Sequence, residues 1–384
     1  MKSILNSIVH HPLLDCIRLG LRYPVSERLH IVSDSYCLFR KKGITASEYY
    51  DFGFEKQDPI FRKTFLGQNE QRVYLDYLNP KKYYILARNK YLSHRALEHA
   101  GVRKAQLYCY YDPEGSYPGS DDMAGSLADV IRLLRQKVVQ ACVIKTTESS
   151  HGDNVYVVRK MEYSEFDAMV SLFNGEVKPL STIVGEDPLI FEELVLQTSQ
   201  LSDLNPTSVN TVRFMTTLLP GDEARVIACF IKIGRKGKCV DNAGTGGNVD
   251  ACVDVDTGEL KYAIQFDGWR NYRQIEKHPD TGAQLNGMVI ENWGTIKSQV
   301  LGFQRAFPFI KAAGWDIAIT DEGPAVIEVN DFWDRAGQLF IRKGWRDEIR
   351  ECYFAWKKTG KKYSFGRLSN RIPATCLKEI VKKD

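Results

Sequence analysis

The segment 314–330, GWDIAITDEGPAVIEVN, carries side chains suited to holding a metal ion. Its pattern predicts two strands around a turn. Glu328 and Asn330 are two residues apart, so they project from one face of the second strand. If the turn holds the five residues 321–325, Asp316 of the first strand lies opposite Asn330 and all three polar side chains share a face. A four-residue turn would put Asp316 on the other face unless a bulge intervened.

Two carboxylates and an amide oxygen on one face supply hard oxygen ligands. They leave positions for phosphate oxygens and water, which suits a magnesium ion that bridges a nucleotide. We therefore predict a Mg²⁺ site at Asp316, Glu328 and Asn330, with Mn²⁺ as a substitute. The alternative is a hairpin with one solvated polar face.

A second candidate is the segment 143–158, VIKTTESSHGDNVYVV, in which an apolar strand ends at Lys145. A polar loop that includes Ser150 and Gly152 then leads into another strand. Backbone N–H groups in such a loop can cradle phosphates, and the lysine adds a point charge. The GxxxxGK[ST] spacing of a P-loop is absent. A lysine that merely ends a strand is the alternative.

Arg213 lies in a third segment, SVNTVRFMT, where strand alternation places it on the same face as Thr211. An arginine there could bind a phosphate or a carboxylate through two parallel hydrogen bonds, or form only a surface ion pair.

The segment 231–260 follows, with Lys232 at its start and a glycine-rich loop in its middle. The loop contains Asn242 and the pair Gly246-Gly247. Glycines this close together allow the backbone to approach a ligand, or form only a flexible turn.

The elements that must position these residues indicate an α+β or mixed fold. Helices are predicted at 89–101, 126–137 and 296–313, and residues 1–85 are predicted to be mostly helical. The predicted strands are 138–145, 154–160, 189–197, 210–219, 225–234, 250–254, 315–320 and 325–330.

Composition limits the function classes. The 384 residues are 43% hydrophobic and 26% charged, as in ordinary globular proteins, and no apolar run is long enough to cross a bilayer. Nine scattered cysteines without CxxC spacing favour free thiols and a cytoplasmic setting over a disulfide framework or a zinc site. No motif supports nucleic-acid binding.

Charge is unevenly distributed along the chain. Residues 335–384 carry fourteen Lys or Arg against five Asp or Glu. This basic tail is either a set of solvated helix faces or a site for an anionic partner. The partly apolar N-terminus is predicted to be an amphipathic helix that packs on the protein or rests on a membrane surface, so peripheral membrane contact stays open.

Taken in order, these segments resemble the ATP-grasp superfamily. The closest resemblance is to its sugar-transfer-associated branch, related to α-L-glutamate ligases, and covers roughly 40–340. SVNTVR, VDNAGTGGNVDA and GWDIAIT…GPAVIEVN carry it. The resemblance implies an ATP-grasp fold of two α+β lobes that hold the nucleotide. It implies a helical N-terminal region (1–85), a small lobe with the hinge (86–200), a large lobe with the metal site (201–340) and a basic helical extension (341–384).

The resemblance also implies roles for individual residues. Lys90 and Lys145, with the loop at Ser150 and Gly152, would bind the phosphates of ATP. Around the adenine and ribose, it implies contacts from Glu192, the backbone at Glu193–Val195, and Gln197. At the transferring phosphate, it implies Arg213, Lys232, Asn242 and the Gly246-Gly247 loop, and at the metal Asp316, Glu328 and Asn330. Lys232 departs from the related ligases, in which arginine is usual. The helical N-terminal region departs from the Rossmann-like domain with which many ATP-grasp ligases begin.

The implied activity is ATP- and Mg²⁺-dependent ligation of a small-molecule carboxylate to an amine through an acyl phosphate, in bacterial surface-glycan modification. Three alternatives stay open: an ATP-grasp kinase that phosphorylates a hydroxyl, a nucleotide-binding module without catalysis, and a glycosyl or acyl transferase that uses no ATP.

Overall fold

The computed structural model describes residues 11–148, 154–239, 241, 243, 247–268, 270 and 272–360. Within these residues, fourteen strands form two seven-stranded sheets, with helices packed on both. The helices are α1 (Pro12–Gly20), α2 (Arg28–Lys42), α3 (Ala46–Asp51), α4 (Pro59–Thr64), α5 (Gln68–Leu78), α6 (Ile85–Arg88), α7 (Lys90–His99), α8 (Leu127–Gln136), α9 (Ser199–Leu204), α10 (Trp293–Ala306), α11 (Gly337–Phe340) and α12 (Arg346–Lys358).

The first sheet has the spatial order β2-β1-β7-β3-β4-β5-β6. Its strands are β1 (Leu107–Tyr111), β2 (Met123–Ala124), β3 (Cys142–Thr146), β4 (Val155–Tyr163), β5 (Ala168–Leu172), β6 (Val177–Pro179) and β7 (Leu189–Glu192). All its pairings are antiparallel except that of β1 with β2. Val130 and Leu134 of α8 are buried against one face of this sheet.

The second sheet has the spatial order β12-β11-β10-β9-β8-β13-β14 and is antiparallel throughout. Its strands are β8 (Val212–Leu219), β9 (Glu223–Ile233), β10 (Val249–Val253), β11 (Leu260–Phe266), β12 (Tyr272–Gln274), β13 (Ala312–Thr320) and β14 (Gly323–Asn330). Helices cover each face, so most side chains of its central strands are buried and apolar.

Strand alternation assigns the second sheet's side chains to two cores. Phe214 packs with Ile296 and Val300 of α10 on one face, whereas its neighbour Met215 packs against α5 and α12 on the other. The N-terminal helices extend this second face, where Phe230 meets Phe340 at a ring-centroid distance of 5.2 Å. The functional cleft described below opens onto that same face.

Ion pairs tie the N-terminal helices to the chain that follows β14 and to the connection between β11 and β12. The Nε of Arg346 lies 2.9 and 2.8 Å from the two carboxylate oxygens of the fully buried Glu70. Arg270 bonds to Glu55 at 2.6 Å and lies over the ring of Tyr50. Because buried carboxylates are costly without a cation, these pairs fix the helices on the second sheet.

Most predicted elements are present, with local differences. The helices predicted at 89–101 and 126–137 are confirmed as α7 and α8. The helix predicted to reach residue 313 was wrong in its last part, because α10 ends at Ala306 before Phe307-Pro308 and β13 begins at Ala312. Six of the strands described, β1, β2, β5, β6, β11 and β12, were not predicted.

Two simpler expectations can be compared with the structure. The eight cysteines that the structure describes are free. None of the helices described is both long and apolar enough for a bilayer crossing. The basic tail beyond residue 360 and the first ten residues lie outside the described residues.

Asn79 follows α5 and is fully buried. It joins the N-terminal region to the first residue of β13 and to the residue after β14. Its Nδ2 donates to the carbonyl oxygens of Ala312 at 2.7 Å and Asp331 at 2.6 Å, and its Oδ1 accepts from the N–H of Ala312 at 3.0 Å. Asn79 therefore holds the residue that directly follows Asn330.

Replacing Asn79 with alanine should lower the free energy of unfolding by roughly 2–4 kcal/mol, because it leaves buried backbone groups without partners. Chemical denaturation monitored by tryptophan fluorescence measures the change. Asn174→Ala, at an exposed turn between β5 and β6, is the matched control and should change it by about 0.5 kcal/mol or less. Equal effects of the two variants would contradict this account.

Candidate active site

A cleft of about 1260 Å³ lies between the two sheets. Its walls come from β3, β4 and β7 of the first sheet, from β8, β9, β13 and β14 of the second, and from the chain on either side of these strands. The cleft is lined by eleven of the residues predicted to form the site: Lys90, Lys145, Glu192, Glu193, Val195, Gln197, Arg213, Lys232, Asp316, Glu328 and Asn330. The individual roles given to them stay predictions.

Asp316 of β13 is the centre of a buried ion cluster at the base of the cleft. Its Oδ1 lies 2.5 Å from the Nε of Arg213 and 3.0 Å from the Nζ of Lys232, and its Oδ2 lies 2.7 Å from the Nη2 of Arg213. Burial opposes ionisation of Asp316, but the fields of Arg213 and Lys232 outweigh it and hold the pKa of the carboxyl below its usual value. The cluster is therefore charged at neutral pH.

Asp241, from the glycine-rich segment after β9, extends this cluster. Its Oδ2 accepts from the N–H of Thr211 at 2.8 Å and from the hydroxyl of Thr211 at 2.5 Å, and its Oδ1 lies 3.9 Å from the Nζ of Lys232. Burial raises the pKa of the Asp241 carboxyl. Lys232 stays a cation, because Asp241 and Asp316 outweigh its burial and raise the pKa of its ammonium.

The β13–β14 hairpin brings the three predicted metal ligands to one face by a route that differs from the sequence prediction. The turn has neither the five nor the four residues weighed from the sequence: Thr320 pairs with Gly323 around a two-residue loop, Asp321-Glu322, and Gly323 has φ +106°. The register then shifts between Asp316 and Ile317, so that Asp316 lies opposite Glu328 and not opposite Asn330. The bulge restores the shared face that a two-residue loop alone would remove.

The donor set of this face fits a magnesium ion. The Glu328 carboxylate has no hydrogen bond or ion pair within the residues described, and the side-chain amide of Asn330 approaches the carbonyl of Gly314 only at 3.5 Å. Among the residues described, only Arg213 donates to the Oδ2 of Asp316, so this oxygen keeps a lone pair. Two carboxylate oxygens and an amide oxygen are the hard ligands that Mg²⁺ prefers.

Among the residues described, no cluster contains three or more His, Cys, Asp and Glu side chains with the spacing of a metal site. The candidate set has two carboxylates and an amide, so further ligands would have to be phosphate oxygens and water. This composition favours an ion that arrives with a nucleotide over one held by protein alone.

Two lysines from different elements approach the same end of the cleft. Lys145 of β3 forms an ion pair with Glu192 of β7, and both side chains are buried. Lys90 begins α7, whose N-cap Asn89 accepts from the N–H of Leu92 at 3.0 Å. Burial lowers the pKa of the Lys90 ammonium, and Lys145 lowers it further, whereas Glu328 and Glu192 raise it. The pKa of Lys90 therefore depends on charges from both lobes.

The segment after β7 presents backbone groups to the cleft. The N–H of Glu193 donates to the carbonyl of Gln106 at 2.9 Å. The C=O of Glu193 and the N–H of Val195 have no hydrogen-bond partner within the described residues, and both residues line the cleft. A donor and an acceptor side by side suit the edge of an adenine ring.

The side chains of this segment are less available than the sequence suggested. The carboxylate of Glu192 is engaged by Lys145, and that of Glu193 accepts from the N–H of Gln106 at 3.1 Å. The amide of Gln197 donates to the carbonyls of Asn205 and Ser208 and accepts from the N–H of Asn210. It stabilises the 205–210 loop here, and its approach to ribose stays a prediction.

Four predicted residues, Ser150, Gly152, Asn242 and Gly246, lie outside the described residues. Gly247 has φ +74°, a conformation that favours glycine, and its carbonyl accepts from Arg235 at 3.2 Å and from Gln265 at 3.3 Å. It does not line the cleft.

Sequence reasoning missed three residues of the cleft. Asp241 was passed over for its neighbour Asn242, although an acidic residue close to Lys232 was a usable signal. Arg159 lines the cleft with Val155 and Val157, and its period of two along β4 could have identified it. Arg88 had no pattern that marked it.

The sequence profile described as "Sugar-transfer associated ATP-grasp" matches residues 69–352. The chain belongs to this ATP-grasp family. The predicted α+β ATP-grasp fold, with two lobes about a cleft, is thereby confirmed. No curated protein matches the chain significantly.

Solved structures with similar folds include three ligases or synthetases. Phosphoribosylamine–glycine ligase from Thermotoga maritima is 12% identical, with 75% of this chain and 58% of that one covered and a TM-score of 0.42. D-alanine–D-alanine ligase from Bacillus anthracis is 12% identical, with 72% of this chain and 70% of that one covered and a TM-score of 0.36. N5-carboxyaminoimidazole ribonucleotide synthetase from Thermotoga maritima is 11% identical, with 73% of this chain and 52% of that one covered and a TM-score of 0.39. This chain thus spans little more than half the length of the first and third.

The lowered pKa of Lys90 predicts how nucleotide affinity depends on pH. If its ammonium binds phosphate, the dissociation constant for ATP should rise with pH as Lys90 loses its proton. Because the pKa of Lys90 is lowered from the ordinary lysine value of 10.5, this rise should begin at a lower pH than for an ordinary lysine. Lys90→Arg stays charged and should remove this rise. Calorimetric titration with MgATP across pH 7–10 measures it. Identical pH profiles for the wild type and Lys90→Arg would contradict the role.

Lys145→Ala should weaken ATP binding by roughly ten- to a hundredfold, since a charged hydrogen bond to phosphate is lost. It also leaves Glu192 buried without its cation, so stability should fall. The Lys145→Ala/Glu192→Gln double variant separates the two effects, because it should regain stability and not ATP affinity. Normal ATP affinity in the double variant would contradict a phosphate role for Lys145.

Proposed function

We propose that this protein is an ATP- and Mg²⁺-dependent carboxylate–amine ligase that acts through an acyl phosphate. The observation that carries the proposal is one cleft in which a metal-fitting face, Asp316, Glu328 and Asn330, adjoins buried cations from both lobes. Membership in the ATP-grasp family supports it. The sugar-transfer-associated branch supports a carboxylate or amine substrate linked to a bacterial surface glycan, and a cytoplasmic location remains part of the proposal.

In the proposed reaction, a carboxylate oxygen attacks the γ-phosphorus of ATP. The bond to the bridging β–γ oxygen breaks, and ADP and an acyl phosphate form. An amine then attacks the acyl carbon, the carbon–oxygen bond to phosphate breaks, and the nitrogen loses a proton. Both steps need positioning and charge stabilisation more than covalent participation by the protein.

The described residues can supply that stabilisation. Arg213 is fixed by two bonds to Asp316, so its guanidinium is preorganised towards the cleft. Lys232 is held beside it, and Lys90 and Lys145 approach from the small-lobe side. A bound Mg²⁺ would be held by Asp316, Glu328 and Asn330 and would supply further positive charge to the phosphate oxygens.

A second candidate is an ATP-grasp kinase that phosphorylates a hydroxyl. The same cleft could serve it, because phosphoryl transfer makes identical demands on the metal and the cations. A binding module without catalysis is disfavoured by the complete set of oxygen donors on the hairpin face.

The deciding assay measures ADP release with MgATP, pooled amino acids, uronic acids and hydroxylamine. A ligase should release ADP and form a hydroxamate, because hydroxylamine traps the acyl phosphate. ADP release with a stable phosphorylated product and no hydroxamate would replace the ligase with the kinase. Absence of MgATP binding would contradict both and favour a transferase that uses no ATP.

Glu328→Gln should lower turnover in this assay by at least about a hundredfold and leave the fold intact, since the Glu328 carboxylate forms no hydrogen bond or ion pair within the described residues. Glu322→Gln, in the exposed turn of the same hairpin, is the matched control and should keep full activity. Full activity in Glu328→Gln would contradict the metal assignment.

A further inference from the structure

The cleft continues past the metal-fitting face into a part that no role above uses. One wall of this part is formed by residues 81–88, which join the N-terminal helices to α7. A second group of lining residues comes from the chain after β14, at positions 332–334, 336, 337 and 340, together with Phe230. We call this part of the cleft the distal pocket.

The first wall of the distal pocket is cationic. Arg88 and Lys81 both line it, and Lys81 has no ion-pair partner among the residues described. Asp331 pairs with Arg88, so one positive charge on this wall is left without a counter-charge. The second group of lining residues is mostly apolar, with Phe332 half-buried and Trp333 and Phe340 buried, and its one acidic member among the residues described is the exposed Asp334. A ligand with an anionic group and an apolar or ring-shaped face fits these two groups of residues.

Arg88 is held in one position before any ligand binds. Its Nε lies 3.1 Å from one carboxylate oxygen of Asp331, and its Nη2 lies 2.9 Å from the other. Its guanidinium lies over the ring of Tyr84 at 4.1 Å, and the Tyr84 hydroxyl donates to Asp76 at 2.9 Å. The carbonyl of Asp331 is in turn fixed by Asn79 at 2.6 Å.

This arrangement leaves part of Arg88 available to a ligand. The Arg88 side chain is 53% exposed although Asp331 is only 6% exposed, so the pair presents its guanidinium to the cleft. Its Nη1 has no partner in the part of the chain that the structure describes. Asp331 directly follows Asn330, which places this donor next to the metal-fitting face. A preorganised donor here loses little entropy on binding a carboxylate.

We propose that the distal pocket binds the acid substrate and that Arg88 holds its reacting carboxylate beside the transferring phosphate. The proposal rests on the proposed ligase function and adds the residue that holds the acid and the surface that the rest of the acid contacts: its ring or chain lies against Phe332. Arg88 acts on the acid and not on ATP.

The test is saturation-transfer NMR on the full chain with MgADP and a pool of D-glucuronate, D-galacturonate and the L-amino acids. The wild type should bind at least one acid. Arg88→Ala should bind that acid roughly ten- to a hundredfold more weakly and keep its MgADP affinity, and Arg88→Lys should lie between. Whether a uronic acid or an amino acid binds identifies the source of the carboxylate.

The matched control is Arg225→Ala. Arg225 is also a half-exposed arginine paired with carboxylates, Glu223 and Glu351, but it lies outside the cleft, so acid binding should be unchanged. Equal acid binding by the wild type and Arg88→Ala would overturn the inference, as would weaker MgADP binding in Arg88→Ala with normal acid binding. Binding of no acid by a wild type that binds MgADP would also overturn it. Failure of the wild type to bind MgADP would instead overturn the proposed function.

Discussion

The site depends on the buried carboxylate of Asp316. It is 3% exposed and carries a charge that two buried cations, Arg213 and Lys232, must balance. Because an unpaired buried charge is far more costly than a paired one, the three side chains have to meet. They come from three adjacent strands, β9, β8 and β13, so their meeting fixes the strand register on which the hairpin's remaining ligands depend.

The N-terminal helices complete this site from outside the two sheets. Asn79 and Arg88 bind the backbone and the side chain of Asp331, the residue after the last metal-fitting position. Glu70 and Arg346 tie the same helices to the chain that continues from there. This helical N-terminal region therefore both supports the metal-fitting face and lines the distal pocket.

The sequence predicted the parts of the site that depend on local periodicity. Alternation along β8 and β14 pointed to Arg213, Glu328 and Asn330. The strand that ends before a polar loop pointed to Lys145, and the resemblance supplied Lys90. The sequence pattern could not predict the bulge at Asp316, because a one-residue register shift leaves no mark in a pattern of alternating residues. Arg88 was missed because its role follows from contacts with residue 331, which is distant in the chain.

The measurement that tests the central claim most directly is Mn²⁺ binding followed by electron paramagnetic resonance, with and without a non-hydrolysable ATP analogue. The account predicts that the wild type binds Mn²⁺ tightly only with the analogue, and that Asn330→Ala weakens this binding by roughly tenfold or more. Asn174→Ala should match the wild type. Equal, analogue-dependent Mn²⁺ binding by the wild type and Asn330→Ala would contradict the placement of the metal on this hairpin.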